Sequence, residues 1–220
     1  MPDILVLYQE EIIQSIMQTM MMVGVSIAAA IVVGLPVGTA LYLTSKGRIR
    51  EQAAIYNVLN LFVNIVRSFP FLLLVVFLIP FTRWLTGSAI GTAAACVPMA
   101  IIAIAHYARL AEQSLLEVPR GVVEAAISMG ASMRAIIFRF LYVEARSGLV
   151  LGLTTSTVSF ISYSTIMGVV GGGGIGDFAI RYGYQQFKTD LMLYMIIIMI
   201  IFVQLIQIIG TTVARKLDKR

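Results

Sequence analysis

The residue types that most often carry catalysis are scarce in this chain of 220 residues, with Cys96 and His106 occurring once each. One thiol and one imidazole supply neither an activated nucleophile with its base nor a multi-ligand metal centre, and a single cysteine leaves no intramolecular disulfide. The eleven acids are Asp3, Glu10, Glu11, Glu51, Glu112, Glu117, Glu124, Glu144, Asp177, Asp190 and Asp218, and none falls inside an apolar run. Proton-driven carriers keep an ionisable relay within the membrane, so ion coupling has no evident residue here, although sodium held by backbone carbonyls is less constrained by this argument. Gly171 to Gly174 with Gly176 suggests a phosphate loop, but the chain contains no Gly-Lys dipeptide to complete one. An enzyme is not expected.

Two sets of residues remain that could act on a passing molecule. Arg67, in NIVRSFPF, is the one cation inside an apolar run, with Pro70 nearby. Such a charge must face the protein interior, water or a polar partner, so it either serves a helix break or stands beside a translocation path. Ser159, Ser162, Tyr163, Ser164 and Thr165 place hydroxyls next to the bulky pair Ile166 and Met167. They either bond back to the helix backbone or line a pathway closed by Ile166 or Met167. The glycines that follow make a flexible turn or let helices approach closely. GDFAIRYGYQQFKTD beyond them suits an outer loop that holds a partner or forms an aromatic belt, and Gln204 and Gln207 suit helix pairing.

The elements that must position these residues are set by composition. Hydrophobic residues make up 59% and mean hydropathy is +0.93, which marks an all-α, polytopic membrane protein. Five apolar runs can be drawn, at about 16–43, 54–80, 89–105, 147–170 and 191–213, each near the ~20 residues that a crossing needs. The N-terminus has no signal-peptide pattern, so the first run is expected to be a retained helix, and Pro36 between Gly34 and Gly38 makes it a kink or a gate. Lys46, Arg48 and Arg50, then Arg109, Arg120, Arg134, Arg139 and Arg146, then Arg215, Lys216, Lys219 and Arg220 fall on one face. The opposite face has only Arg83, Arg181 and Lys188. The positive-inside rule therefore puts the N-terminus outside and the C-terminus in the cytoplasm, with net charge saying nothing of nucleic acid.

The longest polar-flanked interruption, 121–145, then lies in the cytoplasm. It predicts a short helix, a break at Gly130 and a second helix capped by Ser132. On the first helix Val123, Ala126, Ile127 and Gly130 share one face, while Arg120, Glu124 and Ser128 share another. The element is either a handle for a partner or an amphipathic helix lying on the membrane.

Glu124-Ala125-Ala126, with Gly130 six residues after the glutamate, resembles the EAA loop of bacterial ABC importer permeases; the family's closing Leu-Pro is replaced by Tyr142-Val143. RSFPFLLLVVFLIPFTR, ARLAEQSLLEVPRGVVEAAISMGAS and SYSTIM followed by GGGGIG and YGY together are similar to the permeases of methionine importers over almost the whole chain. The resemblance implies a multi-pass permease of the bacterial cytoplasmic (inner) membrane that takes up methionine, D or L, by alternating access, with another amino acid or a short peptide as the alternative solute. It implies a second copy of the chain, two cytoplasmic ATPase subunits and an extracytoplasmic substrate-binding protein as partners. No cofactor is expected in this chain, with ATP and Mg on the ATPase. Glu124, Ala125, Ala126, Ser128, Gly130 and Ala131 would couple to that ATPase, and Tyr163, Ser164, Ile166, Met167 and Arg67 are the pathway or gate candidates. A secondary carrier or channel, or a membrane scaffold, are the competing readings from other classes.

Overall fold

In a membrane every backbone group of a crossing segment must be satisfied within the segment, so long apolar runs become long helices unless proline intervenes. The computed structural model describes residues 6–218, and among these the regular structure is all helix, with no strand. Asp3, Lys219 and Arg220 of the charge count lie outside the described residues.

Helix α1 (Gln9–Ala29), a π-helical turn (Ala30–Gly34) and α2 (Leu35–Thr44) form one continuous rod. Pro36 has no N–H and its ring crowds the carbonyl four residues back, and the widened turn before it absorbs this defect. The rod presses closely on α6 (Thr92–Leu116): a side chain at Gly38 would collide with the Ala108 carbonyl and, at 2.9 Å, with the Ala111 methyl. Pro36 therefore sits in a packed rod, which favours the kink over the gate.

The second apolar run is not one straight span. It divides into α3 (Ala53–Ser68) and α4 (Phe71–Phe77), bent by 108° at extended Phe69 and Pro70. Proline disfavours helical geometry in the residue before it, which explains the corner. A short α5 (Ile79–Thr86) follows and ends on left-handed Gly87.

Helix α6 continues well past the expected end at residue 105, to Leu116. It carries Arg109 and Glu112 with it, beyond the apolar run at 89–105. Their 2.6 Å pair, with the Glu112 side chain 4% exposed, makes that continuation tolerable. This helix is the centre of the fold. Of its most apolar stretch 56% is buried, against 6% for the last helix, and it crosses both the first rod and α9.

The interruption contains α7 (Arg120–Ser128) and then α8 (Met133–Ala135). From Met133 the chain stays helical through a π-helical turn (Ile136–Leu141) into α9 (Tyr142–Val169). Tyr142-Val143 thus continues a helix.

The segment after Gly174, expected as an outer loop, has helical structure of its own: Ile175–Phe178 (α10) and a π-helical stretch Ala179–Tyr184 fold back on α11 (Thr189–Leu217). Phe178, Leu191 and Met195 form a buried cluster that holds this hairpin. Among the described residues three helices can cross a membrane by length and apolarity, Gln9–Thr44, Thr92–Leu116 and Thr189–Leu217, or four with the bent α3 and α4 counted as one. The run at 147–170 lies in α9, where Ser and Thr dilute the apolar residues.

Candidate functional site

Three segments rich in Lys and Arg meet at one end of the bundle. Ile49 of the first basic loop packs on the cluster formed by Tyr42, Leu115, Val118, Val123, Ala126 and Leu141. At the same end Arg146 donates to the Leu217 carbonyl at 2.9 Å and Ser147 to the Ala214 carbonyl at 3.0 Å, which ties α9 to the end of α11.

Helix α7 is presented on this platform. Pro119, extended at ψ 133°, turns the chain out of α6 and leads into it. Its end is built from paired bonds: the Gly130 amide donates to Ile127 O at 2.9 Å, and the Ala131 amide to Ala126 O at 3.0 Å. That pattern needs a left-handed residue, and Gly130 supplies it at φ +73°, with open space where a side chain would be. Ser132 then accepts from the Ala135 amide at 3.3 Å, so the break and the cap fall where the sequence places them.

The faces of α7 divide differently from the expectation. Val123 and Ala126 are buried against the platform, so Ala126 seats α7 on its own chain and does not face outward. Glu124, Ala125, Ser128 and Gly130 are exposed and Ala131 is half-buried. Ile127 and Met129, 49% and 68% exposed, extend the outward surface with apolar side chains. A cleft of about 230 Å³ runs beside it, between Arg120, Glu124 and Ile127 on one side and Gly47, Arg48 and Ile49 on the other. Period alone identifies Val123, Ala126 and Ile127 as one stripe; the platform reaches only its first two members.

The second set of candidates stands on α9. Ser164 is buried and donates to the Ile161 carbonyl at 2.7 Å; Ser159 and Thr165 likewise bond to carbonyls four residues back, at 3.2 Å and 3.4 Å. Met167 is buried in the central cluster and Ile166 packs against it. Tyr163 is half-buried and stacks on Phe71 with ring centres 4.5 Å apart. Arg67 is exposed in the last turn of α3, just before the corner at Phe69 and Pro70. Among the described residues no hydrogen bond or ion pair joins it to Ser164 or Met167. The glycine segment is tightly held: Gln18 accepts from the Gly174 amide at 2.7 Å and Thr19 from the Ile175 amide at 2.9 Å. Close approach, not a flexible turn, is the role of these glycines.

One group of polar residues escaped the sequence reading. Arg109 donates to Glu112 at 2.6 Å, to Asn60 at 2.6 Å and to Asn64 at 2.7 Å, bracing α6 against α3. The available signal was Asn57, Asn60 and Asn64, spaced along one face of an apolar helix. Among the described residues no three His, Cys, Asp or Glu side chains assemble as a metal-binding group.

Comparison with known proteins adds an independent line. The family model described as binding-protein-dependent transport system inner membrane component matches residues 30–220. A probable D-methionine transport system permease protein of Vibrio cholerae is 44% identical over 203 residues, covering 92% of this chain and 90% of the relative. A methionine import system permease protein of Bacillus subtilis is 41% identical over 180 residues, covering 82% of this chain and 81% of the relative. Among solved structures, an inward-facing methionine ABC transporter superposes with a TM-score of 0.92 at 37% identity, covering 96% of this chain and 98% of that one.

Proposed function

The chain belongs to the family of binding-protein-dependent transport system inner membrane components, and from that premise we propose that it is the permease subunit of an ATP-driven importer of methionine, in the D or L form. The observation that carries this reading is the agreement in fold and sequence with a methionine ABC transporter over nearly the whole chain. Its place is the inner membrane.

In this reading the chain crosses the membrane five times, N-terminus outside and C-terminus in the cytoplasm, with α9 as the fifth span beside the four that pass on apolarity. The gathering of the first basic loop, α7 and the end of α11 at one end supports that orientation. Two copies pair, two ATPase subunits bind at the cytoplasmic face, and a substrate-binding protein delivers the solute outside. ATP and Mg are held by the ATPase, and this chain contributes no cofactor site.

Coupling runs through α7. Its inner residues Val123 and Ala126 fasten it to the body, so force applied to the exposed Glu124, Ala125, Ile127, Ser128 and Met129 is passed to α2, α6 and α9. Gly130 and Ala131 set the exit angle. Helix α9 continues from Met133 without a break, so a displacement of α7 is delivered directly to the base of the helix that carries Tyr163, Ser164, Ile166 and Met167. Closing of an ATPase dimer then favours the outward-open state, and product release favours the inward-open one.

The test is uptake by proteoliposomes that contain this chain with its ATPase and binding protein. ATP-dependent accumulation of methionine is expected, and flux by this chain alone sinks the proposal in favour of a carrier or channel. Accumulation of a different amino acid or a short peptide keeps the mechanism and changes the solute. Ala125→Arg, on the outward face, should weaken ATPase binding on the order of tenfold or more in a pull-down titration.

A further inference from the structure

Asn57, Asn60, Asn64 and Arg67 recur along α3 at steps of three, four and three residues. At ~100° per residue they fall on one strip roughly 80° wide. The strip is a face of its own. Val63 and Val66 point into the body, Val58, Leu61 and Ile65 form an exposed apolar face, and the polar strip lies between the two. Asn57, Asn64 and Arg67 are exposed and Asn60 is half-buried. At ~1.5 Å per residue the strip is about 15 Å long, roughly half of a ~30 Å hydrocarbon layer. It begins at the end of the bundle that holds the basic loops and stops at the 108° corner.

Three environments could cover such a face. Lipid would leave the Asn57 amide and the Arg67 guanidinium without hydrogen-bond partners, and Asn60 and Asn64 with only Arg109 and each other. A dry contact with a second copy close to the two-fold axis would set the strip against its own likeness, cation toward cation. Water satisfies all four groups at once. The pairing of charges points the same way: Arg109 is neutralised by Glu112, whereas Arg67 takes part in neither of the two ion pairs among the described residues, Arg109 with Glu112 and Arg181 with Asp177. A mobile carboxylate is the complement that such a cation lacks.

We propose that the α3 strip is the wetted wall of the pathway's cytoplasmic half, and that Arg67 at its inner end receives the carboxylate of the amino-acid solute in transit. This rests on the importer reading above. The amides of Asn57 and Asn64 then offer both donors and acceptors to a zwitterion leaving toward the cytoplasm, without the high charge that would trap it. Arg109 is a positioning residue: by holding Asn60 and Asn64 it keeps the strip turned to one side of α3.

Two measurements on the assembled importer test this. First, cysteines are placed singly at Asn57, Asn64 and Leu61 and exposed to a membrane-impermeant thiosulfonate from the cytoplasmic side; buried Cys96 is the internal control. Since the reacting thiolate needs water, N57C and N64C are expected to react at least about tenfold faster than L61C. Equal and slow reaction at all three positions, in every nucleotide state, overturns the wetted wall. Second, R67A is expected to lower solute uptake per ATP hydrolysed by about tenfold or more, with R67K recovering most of it. Uptake by R67A at the unmodified rate overturns the carboxylate role. If the unmodified complex takes up no amino acid, the importer reading fails instead, and the labelling pattern still decides the strip.

Discussion

Helices α3 and α9 both carry polar side chains among apolar ones, and they dispose of them in opposite ways. On α9 the hydroxyls turn inward on their own helix: Ser156, Thr157 and Ser164 bond to carbonyls three or four residues back, at 2.8, 2.8 and 2.7 Å. Each is satisfied locally and adds little to any neighbour. On α3 the asparagines do not close onto their own backbone: Asn60 and Asn64 accept from Arg109 of α6, and Asn64 donates to Asn60 at 3.3 Å. A polar residue in an apolar helix is thus informative according to where its hydrogen bond goes, more than by its presence.

The contrast can be broken by substitution. Glu112→Leu removes the partner of a largely buried guanidinium, and the loss expected for such an orphaned charge is about 3 kcal/mol or more, read as a lowered unfolding midpoint in detergent. Stability equal to the parent would mean that the brace between α3 and α6 contributes nothing. Asn60→Ala deletes one charged hydrogen bond and should cost about 1.5 to 3 kcal/mol in the same measurement. Thr157→Val and Ser156→Ala, although both sites are buried, should change stability by no more than about 0.5 kcal/mol. A loss at Thr157 as large as that at Asn60 would erase the distinction between the two helices.

The segment 121–145 shows how far sequence reading extends. Its start, its break at Gly130 and its second cap at Ser132 follow from local chemistry, and the structure has them in place. The direction that Ala126 faces did not follow, because a helical stripe names residues that share a side without naming what lies opposite. The spans show the same division. Apolar runs located the helices, but α6 passed its expected end since the acid and base in its last turns neutralise each other, and the second run bent at Phe69 and Pro70. The hairpin at Ile175–Phe178 and Ala179–Tyr184 was hidden because its helix is held by Leu191 and Met195 of α11, not by its own propensity.

By itself the sequence determined that this is an all-helical membrane protein with an EAA loop. Those properties rest on composition, on the lengths of apolar runs and on spacings within one turn or two, all of which are local quantities. Only the tertiary structure decided that Ala126 faces inward, that Gly38 lies against Ala108, and that Arg109 is shared by Glu112, Asn60 and Asn64. These depend on which helix comes to lie beside which, and the partners of Arg109 on α3 are 45 and 49 residues away in the chain. A hydrogen bond acts over about 3 Å, so no local pattern specifies a partner that folding alone brings within reach.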